Sequence, residues 1–175
     1  TSIGGGLCQL SGLLYNLALL AGLHIIERFP HTIDAYGAMR YVPLGRDATV
    51  AYPWKDICFA TPHEYPVCVR LTVDDARTSG RIEGPVREAR RWEVRVDSLG
   101  EIPFRRVSPD GEPRDGDGVV TRRGLVGARV RAFRVVYASD GSIQSKMLSE
   151  DTYRAVDEVV DGGADVSRTH ALADR

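Results

Sequence analysis

Cysteine is scarce in this chain of 175 residues: there are three, Cys8, Cys58 and Cys68. An odd and small number excludes a disulfide-built scaffold. No CxxC pair and no His/Cys cluster at zinc spacing occurs, so neither a metal site nor a cofactor is expected. An excess of charge of one sign is missing too, since 23 Lys+Arg stand against 24 Asp+Glu. That balance removes the electrostatic footprint of a nucleic-acid or anionic-membrane binder, and no nucleic-acid partner is expected. Long apolar runs are lacking: residues 13–26 are too few to cross a bilayer and contain Asn16 and His24, so no transmembrane segment and no signal peptide is expected. Nor is there an initiator methionine or a long repeat. The chain opens within a loop and reads as a piece of a longer protein, which leaves its localisation unknown.

What the chain does have is concentrated at its start. Gly4-Gly5-Gly6-Leu7-Cys8-Gln9-Leu10-Ser11 runs three glycines into a cysteine, and an apolar helical pattern follows at once. A thiol at the mouth of a helix sits among unpaired backbone N–H groups at the positive end of the dipole. Such a site favours the thiolate and can bring its pKa from about 8.5 towards neutrality. Glycines there allow a substrate to approach the backbone closely, which makes Gly5 and Gly6 candidate substrate-binding residues. The competing reading is a glycine turn into a core helix with a buried, inert cysteine.

Residues 7–21 are apolar on almost every face, which predicts a buried helix, with Gly22 as its C-cap. Residues 23–28 alternate as a short strand ended by Pro30. Residues 41–52 read as two extended pieces around a turn at Gly45. Residues 57–61 and 65–73 read as a hairpin turning at Pro62-His63. That hairpin would set Cys58 and Cys68 opposite each other, as a cross-strand disulfide or, preferred, as two ordinary buried thiols. The fold class expected is α+β, with a buried N-terminal helix packed on a mostly antiparallel sheet over residues 1–84. Residues 80–97 alternate as a solvent-facing ribbon, 109–118 are a polar linker, and 125–137 pair with 142–148 about an Asp140-Gly141 turn. Residues 85–161 thus form a β-rich C-terminal extension with no evident chemistry, and 162–175 a disordered tail.

Four ordered blocks, GGGLCQLS, ERFPH (27–31), GRDATVAY (45–52) and WKDICF (54–59), followed by the expected hairpin, resemble the VanW family. The alternating strands and the DG hairpin ending in SEDTY (149–153) resemble the C-terminal extension of its longer members. The resemblance implies a bacterial cell-envelope context linked to vancomycin resistance. It implies no defined reaction, so the chemistry must come from the residues. A thiol nucleophile needs a base, and the base an acceptor that fixes its tautomer. The blocks offer Cys8, His31 and Asp47 as catalytic candidates, in the chain order of transglutaminase-like thiol enzymes, with His31 and Asp47 on successive strands. Gln9 or the Cys8 N–H would help build an oxyanion hole, and Ser11 joins Gly5, Gly6 and Gln9 as a substrate-binding candidate. His24 and Asp56 compete for roles but read as structural. Trp54, Tyr52 and Tyr65 read as core or groove wall.

Two functions follow. One is a thioester-forming acyl transfer or amide hydrolysis on a peptide-like small molecule or a peptidoglycan stem peptide. The other is a non-catalytic envelope module that binds wall material or a partner protein, with Cys8 buried. A weaker third, an anion site at the helix start, lacks the Lys and Ser/Thr of phosphate loops.

Overall fold

The computed structural model describes residues 6–75, 77–85 and 90–162. Its one described α-helix, α1 (Leu7–Leu20), contains no β-branched residue, so leucine and alanine propensity carries it without side-chain crowding. It stops at a left-handed Gly22, φ +73°. The Leu23 N–H reaches back to the Ala18 carbonyl at 2.9 Å and Gly22 to Leu19 at 3.3 Å, the bonding pattern of a Schellman end. Gly12, in mid-helix, is where Tyr41 packs: a Cβ there would meet its ring at 3.1 Å.

The strands follow in chain order as β1 (His24–Glu27), β2 (Cys58–Ala60), β3 (Cys68–Val73), β4 (Thr78–Glu83), β5 (Arg91–Ile102), β6 (Arg106–Val107), β7 (Gly118–Arg122), β8 (Gly127–Tyr137), β9 (Ile143–Tyr153) and β10 (Glu158–Gly162). They pair as β1-β2, β3-β4, β5-β8-β9 and β6-β10-β7. All pairs are antiparallel except β10 with β6. The α+β class therefore holds, with four small sheets rather than one.

Tyr15, Leu19 and Ala48 form the core, ringed by Ile25, Ile57, Val94 and Leu148. That ring draws on the first half of the chain and on the long β5-β8-β9 sheet alike. The hairpin at Asp140-Gly141 forms as expected: Gly141 has φ +83° and Ala138 N–H meets the Ser142 carbonyl at 2.9 Å. Its return strand runs on to Tyr153.

Three expectations are corrected. The hairpin of 57–61 with 65–73 does not form, because β2 pairs with β1 and β3 with β4. Cys58 and Cys68 accordingly lie in different sheets as free thiols, and Cys68 is exposed. Pro62 and Pro66, which lack an N–H, flank an irregular connection between them instead. Residues 41–50 carry no strand, so His31 and Asp47 sit on irregular segments. The 80–97 ribbon is split between β4 and β5, which belong to different sheets. The expected tail at 163–175 lies outside the described residues, while Gly162 closes β10.

Gly22→Ala tests the helix stop. The new methyl would meet the Trp92 ring at 2.6 Å at a left-handed φ, so a loss of more than about 1 kcal/mol is expected in urea unfolding.

Candidate active site

The site grows from the way α1 is clasped to residues 45–50. Ser11 donates its hydroxyl to the Ala48 carbonyl at 2.6 Å and to the Cys8 carbonyl at 3.1 Å. Asn16 donates to the Gly12 carbonyl at 2.6 Å and the Arg46 carbonyl at 2.7 Å, and accepts from Arg46 Nε at 2.7 Å. Tyr41 donates its hydroxyl to the Cys8 carbonyl at 3.1 Å. These bonds fix the first turn of α1 against the strandless segment that carries Asp47 and Thr49.

Asp47 is buried, and its carboxylate is surrounded by donors. His31 gives two: Nδ1 lies 2.7 Å and the backbone N–H 2.8 Å from Oδ2. Arg28 Nη2 reaches Oδ1 at 3.0 Å and Arg28 Nε the Asp47 carbonyl at 2.7 Å. Tyr153 donates its hydroxyl to Oδ1 while accepting the Gly45 N–H at 2.7 Å. Burial alone would push the Asp47 carboxyl up. The bonds from His31 and Tyr153 and the Arg28 charge outweigh it and hold the pKa at about 2. Burial first, and then the Asp47 charge and bond, push Tyr153 far above the ordinary phenol range, so it stays a donor. Arg28 is itself closed off: Nη1 lies 2.6 Å from Asp151 Oδ2 and its guanidinium lies over the Tyr15 ring at 5.1 Å.

His31 links this carboxylate to the thiol. The Asp47 bond raises the His31 pKa above its usual value, and Cys8 adds to the effect. With Nδ1 committed to an ionised Asp47, Nε2 is the ring nitrogen left for the interaction with Cys8. Burial works to raise the Cys8 thiol, but hydrogen bonds from the Thr49 hydroxyl, the Val50 backbone and His31 bring it below the ordinary thiol range. The Cys8 Sγ–Thr49 Oγ1 distance is 3.5 Å. The first helical bond runs from Leu10 N–H to the Gly6 carbonyl at 3.0 Å, so the N–H groups of Leu7, Cys8 and Gln9 precede the helical ladder.

The structure thus brings Cys8, His31 and Asp47 together. Gly6 caps the helix in open space, with nothing within 4 Å of where a Cβ would lie, and Gln9 beside it is exposed. Ser11 is buried with its hydroxyl taken by backbone carbonyls, and Gly5 lies outside the described residues. His24 and Asp56 stand apart from the cluster: His24 opens β1, and Asp56 Oδ1 accepts its neighbour's N–H, that of Ile57, at 2.8 Å. Tyr52 and Trp54 are not core, at 98% and 81% exposure. Sequence reasoning passed over Arg28, Thr49, Asp151 and Tyr153. Arg28 and Thr49 lie inside the ERFPH and GRDATVAY blocks and the other two inside SEDTY, so the blocks themselves were the available signal. No group of three or more His, Cys, Asp or Glu among the described residues is placed to hold a metal ion.

Asp47 makes acid stability testable. Its folded pKa of about 2 lies below the ordinary 3.8, so its ionisation stabilises the fold fully above about pH 4. That contribution, about 2 kcal/mol, is lost as pH falls through 2. In chemical unfolding from pH 7 to pH 2 the wild type should show this decline. Asp47→Asn should start about 2 kcal/mol lower or more and decline less across the same window; parallel curves would contradict the assignment.

The family described as VanW like protein matches residues 1–83. The uncharacterized protein YoaR of Bacillus subtilis (strain 168) is 41% identical over 68 residues, which are 39% of this chain and 21% of that protein. The vancomycin B-type resistance protein VanW of Enterococcus faecalis (strain ATCC 700802 / V583) is 30% identical over 83 residues, 47% of this chain and 30% of that protein. The chain therefore spans less than a third of the length of these curated relatives. No solved structure matches the fold. Cys8, His31 and Asp47 all fall inside the matched stretch, and over residues 1–83 the chain is similar to the VanW-like protein family.

Proposed function

We propose that Cys8 is the nucleophile of a thioester-forming acyl transfer or amide hydrolysis, with His31 as its base and Asp47 as the group that orients His31. The observation that carries this reading is the 2.7 Å bond from His31 Nδ1 to a buried, ionised Asp47, which leaves Nε2 to serve a thiol of lowered pKa. A structural cysteine needs no such arrangement. In the reaction, Nε2 takes the thiol proton and the sulfur attacks the carbonyl carbon of an amide. The oxyanion that forms is met by the N–H of Cys8 and neighbouring groups at the start of α1, with Gln9 at hand. The C–N bond then breaks, and His31 hands its proton to the departing amine. Water or a second amine, deprotonated by the same nitrogen, attacks the thioester and returns the thiol.

Gly6 and Gln9 line the approach, and Ser11 serves it indirectly by fixing the Cys8 carbonyl. Tyr52 and Trp54, exposed on the turn that directly follows Thr49-Val50, give the substrate an aromatic wall. The substrate class is peptide-like, with peptidoglycan stem peptides favoured by the vancomycin-resistance name of one relative. The same exposed aromatics favour the second reading, a non-catalytic envelope module.

Alkylation of Cys8 against pH separates the two, with Cys58 and Cys68 replaced by serine. The enzyme reading expects reaction with an apparent pKa below about 8.5, and an advantage that collapses in His31→Ala. A thiol that stays unreactive until the protein is unfolded would leave the binding module as the answer.

A further inference from the structure

A cavity of about 510 Å³ opens beside β1 and β9, floored by Tyr15 of α1. Cys8, His31 and Asp47 do not line it. Its size falls in the range of small-molecule sites, about 300–1,000 Å³, and its charges are unbalanced.

Arg134, on β8, is 8% exposed and lines the cavity. One N–H goes to the Leu23 carbonyl at 2.6 Å, and the guanidinium lies over the Trp92 ring at 5.1 Å. No carboxylate among the described residues pairs with it. Arg28 is the contrast, an equally buried guanidinium held by two carboxylates. Lys146 is the direct cross-strand partner of Arg134 in the β8-β9 register and lines the same cavity. Two cations facing each other on adjacent strands repel, and a buried cation without a counter-ion is costly. The cavity's own acid does not relieve them. Asp151 Oδ2 is bound to Arg28 at 2.6 Å and to the Ser149 hydroxyl at 3.2 Å. Ile25 and Leu148 add apolar surface to a lining that is otherwise largely polar.

We propose that this cavity binds a small organic anion, with a carboxylate or phosphate head held by Arg134 and Lys146 and an apolar body lying on Tyr15, Ile25 and Leu148. The guanidinium fork suits either head in a two-bond grip, and the ammonium adds a point charge. The site does not depend on the chemistry assigned to Cys8.

The test uses the full chain with Trp54→Phe, which leaves Trp92, stacked on Arg134, as the reporter of emission. Phenylacetate, phenyl phosphate and uncharged benzyl alcohol are titrated separately. A saturable change with at least one anion and none with benzyl alcohol is expected, and the anion that binds identifies the head. Arg134→Met and Lys146→Met should each weaken binding roughly tenfold; Lys146 is exposed, so its variant keeps the test open if Arg134→Met fails to fold. Cys8→Ala should bind as the wild type does. The proposal falls if neither anion saturates below roughly millimolar concentration, if benzyl alcohol binds as well, if Lys146→Met changes nothing, or if Cys8→Ala abolishes binding.

Discussion

A carboxylate taken out of water has to be surrounded by donors, or the structure around it opens to let water in. Asp47 is in that position, and its donors come from widely separated parts of the chain. Arg28 and His31 follow the end of β1, and Tyr153 is the last residue of β9. The Tyr153 hydroxyl is spent in both directions, accepting from Gly45 and donating to Asp47. A carboxylate with this many partners cannot rotate, and the imidazole bonded to it cannot rotate either. The precision of the Cys8 surroundings is therefore a consequence of how Asp47 is buried.

That dependence joins the two halves of the chain. Asp151 and Tyr153 lie beyond the stretch that matches the family, yet one neutralises Arg28 and the other completes the Asp47 shell. Arg134 reaches back to the Leu23 carbonyl at 2.6 Å, and the Arg154 N–H meets the Thr32 carbonyl at 2.8 Å, one residue from His31. The β5-β8-β9 sheet thus acts as a template that presses the irregular 28–50 region into place. An irregular segment has no ladder of its own to define it, so its side chains must be held by something more regular.

Local rules made part of this legible. The helix at 7–20, its glycine stop and the Asp140-Gly141 hairpin each follow from propensity and turn chemistry confined to a few neighbours. Cys8, His31 and Asp47 stood out because nucleophile, base and orienting acid are recognisable residue types. Pairing partners were another matter. Residues 57–61 read as one arm of a hairpin because 65–73 is the next apolar segment, but β1 competes for the same edge and wins. Nothing in the alternation of a three-residue strand encodes which edge it will take. Arg28 and Tyr153 stayed hidden for a related reason: their significance is a contact across 19 and 106 residues, and a single sequence carries no sign of it.

The thiol illustrates how opposing effects divide the work within the site. Burial opposes a thiolate at Cys8 and also opposes an imidazolium at His31, so enclosing the pair would by itself leave both neutral. On the histidine side the charged pair gains ground because a third group, already ionised, favours the proton on His31. Asp47 supplies that bias because its own proton is lost near pH 2, far below the range in which the other two titrate. Thr49 and the Val50 backbone add bonds to sulfur without adding charge, so they lower the thiol without competing for the histidine. Removing the acid would therefore weaken the hold of His31 on the proton, and removing the threonine would let the thiol rise.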